Sequence, residues 1–122
     1  MDTIFHNIQL ILVEKYYEVH TADSANSLEI KIFRYLKELL LRDYKIYEMR
    51  QKQGDLIPYH THGYKEILVI AEGNIRMIVE EDIIDLKAGD MISIAPWAVH
   101  LSCFPVEKGA FFYLCHPLRN KK

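Results

Sequence analysis

The sequence predicts a mainly β protein, an antiparallel barrel or sandwich with a helical extension at its N-terminus, and three observations support this. Residues before about Arg42 contain no glycine or proline, whereas all five glycines and all four prolines lie from Gly54 onward. From Tyr44 apolar and polar residues alternate, the period of a half-buried strand. Turn formers then interrupt the chain about every eight to twelve residues, the rhythm of an all-β fold.

In "IFHNIQLILVEKYYEV", Ile4, Ile8, Ile11, Leu12, Lys15, Tyr16 and Val19 recur at steps of three and four, which marks an amphipathic helix; Ile8, Leu10 and Leu12 also alternate as a strand would. A polar linker, "HTADSAN", follows. Ser27 is placed to cap a second helix over "SLEIKIFRYLKELLLRD", with Leu28, Ile32, Leu36, Leu39 and Leu40 along one face. The strands come next: "YKIYEMRQ", "PYHTH", "KEILVIA" ending at Glu72-Gly73-Asn74, "IRMIVE", "IIDL", "MISIA", "HLSCF" and "AFFYLCH". Closing about eight short strands into a double-sheeted jelly roll hides most of their edges. The chain thus divides into an extension over residues 1–42 and a barrel over 43–118, within one structural domain.

Charge and hydropathy exclude several classes of function. Fifteen basic and seventeen acidic side chains leave a formal charge of -2, and no block of like charge suggests nucleic acid or a polybasic membrane anchor. Apolar runs such as Ile67 to Ile70 are far shorter than the roughly 20 residues that span a bilayer. The start, "MDTIFHNIQLILVEK", lacks a basic segment and a cleavage site, so a cytoplasmic location is expected. Cys103 and Cys115 lack the C-x-x-C spacing of a redox or zinc motif and are read as packed thiols.

The chemistry concentrates in "GDLIPYHTHGYKEILVIAEG", Gly54 to Gly73. Side chains two apart on a strand share a face, so His60 and His62 converge if that stretch is extended, and Pro58 favours such geometry. Glu66 has the same parity if the strand resumes after Gly63 without a bulge, and Leu68 and Ile70 then also point inward. His100, opening "HLSCF", is the candidate fourth ligand from a distant strand. Imidazoles and a carboxylate without thiolate suit one divalent transition metal, be it Fe, Mn, Ni, Co, Cu or Zn.

The stretch resembles the first cupin motif, a glycine, five residues, H-x-H, three residues, glutamate, six residues and glycine, with every fixed position filled. "GDMISIAPWAVH" resembles the second motif at Gly89 and His100, but Ala95 and Trp97 stand where proline and a second glycine are usual, and Phe104 where asparagine often follows. The resemblance covers roughly the last two-thirds of the chain. It implies a cupin double-stranded β-helix barrel in which His60, His62, Glu66 and His100 hold the metal and leave open positions for water or substrate. It also implies a homodimer, since single-barrel cupins commonly pair.

The remaining residues are weighed against plainer roles. His6, His20 and His116 are read as ordinary surface or hydrogen-bonded histidines, and Asp90 as a turn residue. Tyr59, Tyr64 and Trp97 are candidate substrate contacts or else seals of the barrel rim. Arg76 and Lys65 could hold a carboxylate at the mouth, although Arg76 is expected to face solvent. No nucleophilic triad and no phosphate-cradling loop stands out. Two functional readings follow: a metal-dependent dioxygenase, isomerase or decarboxylase acting on a small polar molecule, or a non-catalytic ligand-binding or sensor module without a DNA-binding domain of its own.

Overall fold

The computed structural model describes residues 16–21, 27–105, 107 and 109–118. Eight strands and one helix appear in the order β1 (Tyr17–His20), α1 (Leu28–Leu41), β2 (Tyr44–Gln51), β3 (Leu56–His60), β4 (Glu66–Val79), β5 (Asp82–Lys87), β6 (Met91–Ile94), β7 (His100–Cys103) and β8 (Ala110–Pro117). All pairings are antiparallel. One sheet runs β1-β6-β4-β8-β2, and the other runs β5-β4-β7-β3. This is the double-sheeted barrel that the alternating pattern requires.

β4 belongs to both sheets. Its first half, from Glu66, pairs with β6 and β8, and its second half, to Val79, pairs with β5 and β7. The sequence suggested two strands parted by a turn at Glu72-Gly73-Asn74, but the chain instead passes through a register shift between Ile70 and Glu72 and continues. Gly73 makes the bend possible: its φ is +79°, and a Cβ there would overlap the Gly109 carbonyl.

Parity along β4 sorts its side chains between two cores. Leu68 and Ile70 point into the barrel, where they meet Ile75, Met77, Val79, Ile92, Ile94 and Phe112. Ile67 and Val69 point the other way, against Leu39, Ile32, Tyr35 and Leu36 of α1. The inward placing of Leu68 and Ile70 agrees with the sequence reading.

The helix begins where Ser27 was expected to cap it, with the Ser27 hydroxyl accepting the Ile30 amide at 3.2 Å. It ends at Arg42, and Asp43 follows in a left-handed conformation, φ 64°. Its buried face is narrower than the sequence suggested, because Leu28 and Leu40 are exposed while Tyr35 packs inward. The first amphipathic segment also differs. Its described end, Tyr17–His20, is a strand paired to β6, Tyr17 opposite Ile94 and His20 opposite Met91, so Tyr16 and Val19 do not share a helical face there. The edge of β6 offered backbone partners, and alternation outweighed helical spacing. Residues 1–15, including His6 and the rest of that expected helix, lie outside the described residues.

Cys115 is fully buried, and burial pushes its thiol up to about 12, which fits a packed, unreactive role. Arg76 faces solvent as expected and is paired bidentately with Asp85 at 2.7 and 3.2 Å. The core governs stability. Replacing Ile70 by alanine is expected to cost about 2–5 kcal/mol in urea unfolding, whereas the same change at Ile83, which is 67% exposed, is expected to stay within about 0.5 kcal/mol.

Candidate metal centre

Four side chains come together between the two sheets. His60 closes β3 and lies directly opposite His100 at the start of β7. Glu66 opens β4 in the other sheet, opposite Ile94. His62 belongs to no strand: β3 ends at His60, and residues 61–65 form the connection that carries the chain from one sheet to the other. The expected extended run through His62 to Glu66 is therefore interrupted, and the convergence comes from a loop crossing the barrel end rather than from strand parity.

One donor atom from each of His60, His62, Glu66 and His100 lies within 4.8 Å of the others. The ring centroids of His60 and His100 are 4.2 Å apart, and those of His62 and His100 are 5.1 Å apart. His100 and Glu66 are buried, His62 is half-buried and His60 is the most exposed of the four, so the cluster opens to solvent on the His60 side.

The backbone selects the nitrogen that each histidine presents. Nδ1 of His60 donates to the Pro58 carbonyl at 2.8 Å, Nδ1 of His62 to the Tyr64 carbonyl at 3.2 Å, and Nδ1 of His100 to the Ala98 carbonyl at 2.8 Å. A carbonyl can only accept, so each ring carries a proton on Nδ1 and turns Nε2 toward the cluster. This outer hydrogen bonding is the support that ligating histidines use.

Nε2 of His100 lies 3.0 Å from Glu66 Oε1 and donates to it. Burial alone would lower the basicity of His100, but the hydrogen bond to Glu66, the Ala98 carbonyl and the Glu66 charge outweigh it and raise its pKa. Burial alone would raise the Glu66 carboxyl, but the His100 hydrogen bond and the three neighbouring imidazoles outweigh that and hold it below its ordinary range. A carboxylate and an imidazolium thus share the inner end of the site.

His62 Nε2 is only 3.3 Å from Glu66 Oε1, yet the geometry makes no hydrogen bond, and among the described residues it is the one buried side-chain polar atom without such a partner. An orphaned imidazole nitrogen aimed at a carboxylate and two further imidazoles fits a divalent cation, which would satisfy all four groups together. Donor atoms gathered this closely could hold one such ion together.

The three candidate substrate contacts lie in different settings. Tyr64 is half-buried with its ring stacked on His62, centroids 4.1 Å apart at 5°. Burial and the Glu66 charge raise its phenol, which therefore keeps its proton. Tyr59 is half exposed on β3, and Trp97 is 68% exposed in the loop before His100. Lys65 is exposed and lines a separate cavity of about 340 Å³ on the outer face with Glu18, Tyr35 and Arg42. His20 is exposed beside Glu18, and Asp90, buried, accepts the Lys87 amide as a turn residue would.

Two features were missed by sequence reasoning. His116, taken as ordinary, packs 5.1 Å from Tyr64 and so stands behind the His62 stack. Glu80, in the turn after β4, exchanges two bonds with Val99: its amide donates to the Val99 carbonyl and its carboxylate accepts the Val99 amide, both at 2.8 Å. Only the acidic turn "EED" hinted at it. Because Val99 precedes His100, Glu80 ties the approach to that ligand to the β4–β5 turn. Glu80→Ala is expected to lower stability by about 0.5–1.5 kcal/mol, read as the shift in urea midpoint.

Comparison with known proteins agrees with this architecture. The family model for the cupin domain matches residues 47–102. A search of curated protein sequences gave no significant match. Among solved structures, an RmlC-like cupin from Shewanella frigidimarina is similar with a TM-score of 0.56 and 22% identity, over 65% of this chain and 70% of that one. A predicted oxalate decarboxylase from Thermotoga maritima gives a TM-score of 0.58 and 21% identity over 68% and 74%. A cupin 2 domain-containing protein from Halorhodospira halophila gives 0.59 and 12% over 87% and 66%. With two antiparallel sheets closed around an inward histidine and glutamate cluster, this chain has the cupin fold, and its residues 47–102 match the cupin domain family model.

Proposed function

We propose that this cupin holds one divalent transition metal on His60, His62, Glu66 and His100 and there binds or transforms a small polar molecule. The observation that carries this is the orphaned His62 Nε2, buried beside Glu66 with all three Nδ1 atoms already engaged by carbonyls. When bound, such a metal would supply Lewis acidity or oxygen activation to a molecule in an open coordination position. Dioxygenase, isomerase and decarboxylase chemistry are all compatible with that role.

The chain's own contribution is orientation and exclusion of water. The carbonyls of Pro58, Tyr64 and Ala98 fix the rings, and Glu66 offers a carboxylate already ionised. Leu68, Ile70, Ile94 and Phe112 fill the barrel interior, so a small molecule would enter from the His60 side. Tyr59, Tyr64 and Trp97 are the proposed aromatic contacts for it.

Metal content is the test. Elemental analysis of anaerobically purified protein is expected to give close to one ion per chain, with sharp losses in His60→Ala and His100→Ala. Occupancy should fall as acid protonates the imidazoles. Retention of full metal by both variants would refute the assignment. Turnover of a small acid or sugar by the loaded protein, against binding alone, separates an enzyme from a sensor module.

We further propose a cytoplasmic homodimer. No helix among the described residues is long and apolar enough to cross a membrane. Ile30, Phe33, Leu40 and Leu41 of α1 are exposed, an apolar set that a second copy would cover. Sedimentation is expected to give twice the 14.4 kDa chain mass, and a monomeric mass would end this proposal.

A further inference from the structure

His62 is the only one of the four proposed ligands that no strand holds, yet its backbone is gripped. The Trp97 amide donates to the His62 carbonyl at 2.7 Å. The Trp97 ring lies against the next residue, Gly63, where a Cβ would stand 2.6 Å from Cζ2, 3.0 Å from Cη2 and 3.1 Å from Cε2. Gly63 does not have a left-handed backbone, so glycine is needed there for space and not for φ.

Trp97 itself has a φ of 71°, a conformation that bulky residues seldom adopt, and its ring remains 68% exposed. A strained backbone carrying a mostly exposed indole gains little from burial. What the arrangement achieves is a clasp: the segment leading to His100 is fastened across the barrel end onto the segment holding His62. Tyr64 closes the other side, with its ring stacked on His62 and its carbonyl accepting Nδ1. We propose that Trp97 is a positioning residue for the metal centre, holding the His62 loop so that Nε2 faces Glu66 and the other imidazoles. This rests on the metal reading above.

Two variants separate positioning from packing. Trp97→Gly removes the ring and relieves the left-handed backbone, so the metal-free protein is expected to melt at or above the wild-type temperature. Gly63→Ala keeps the indole but displaces it, and because Trp97 is the only tryptophan its emission reports that displacement directly. Both are expected to bind Co(II) about ten-fold more weakly than wild type, with a changed visible absorption band as His62 is lost or reoriented.

Wild-type protein that binds Co(II), with variants of unchanged affinity and spectrum, overturns the positioning role and leaves the metal reading intact. Wild-type protein that takes up no Co(II) overturns the metal reading, and the positioning role with it.

Discussion

Three times in this site an imidazole gives its Nδ1 proton to a backbone carbonyl two residues away, and that repeated short-range contact decides which nitrogen reaches the interior. The other neutral tautomer would leave Nδ1 with no proton to give and set two acceptors against each other at every one of these contacts. The accepting carbonyls of Pro58, Tyr64 and Ala98 belong to three different segments, so the ring orientations are set locally before the sheets bring them together. The barrel then needs only to deliver each segment to one end.

Delivery is a matter of register. His60 faces His100 across β3 and β7, and Val79 faces His100 across β4 and β7. Glu66 arrives from the opposite sheet, and the loop carrying His62 crosses between them. Enclosure in an apolar interior strengthens the Glu66–His100 pair and makes an unpartnered His62 Nε2 costly. The same enclosure that stabilises the barrel therefore loads its polar end with unmet coordination.

Much of this was legible in the chain because it depends on period and spacing. Alternation located β2 to the residue, Ser27 marked the helix start, and the parity of Leu68 and Ile70 named part of the interior. The H-x-H…E grouping pointed to the cluster, though by an argument from continuous strand geometry that the loop at 61–65 does not obey. What stayed hidden depends on neighbours distant in sequence. Tyr17–His20 is a strand because β6 has a free edge, β4 runs through Gly73 because Gly109 lies beside it, and Glu80 matters because of Val99. Trp97 shows the point most clearly. In sequence it reads as a departure from a glycine position; in space it keeps the left-handed backbone that glycine would supply.

The passage of β4 through both sheets sets how the molecule can move. A sandwich whose layers share no strand can slide or part along the seam between them. Here the peptide bonds from Glu66 to Val79 bridge that seam, so a carboxylate on one layer and the register partner of a histidine on the other belong to a single continuous strand. Shear between the layers is blocked by covalent continuity, and breathing is left to the loops at the barrel end.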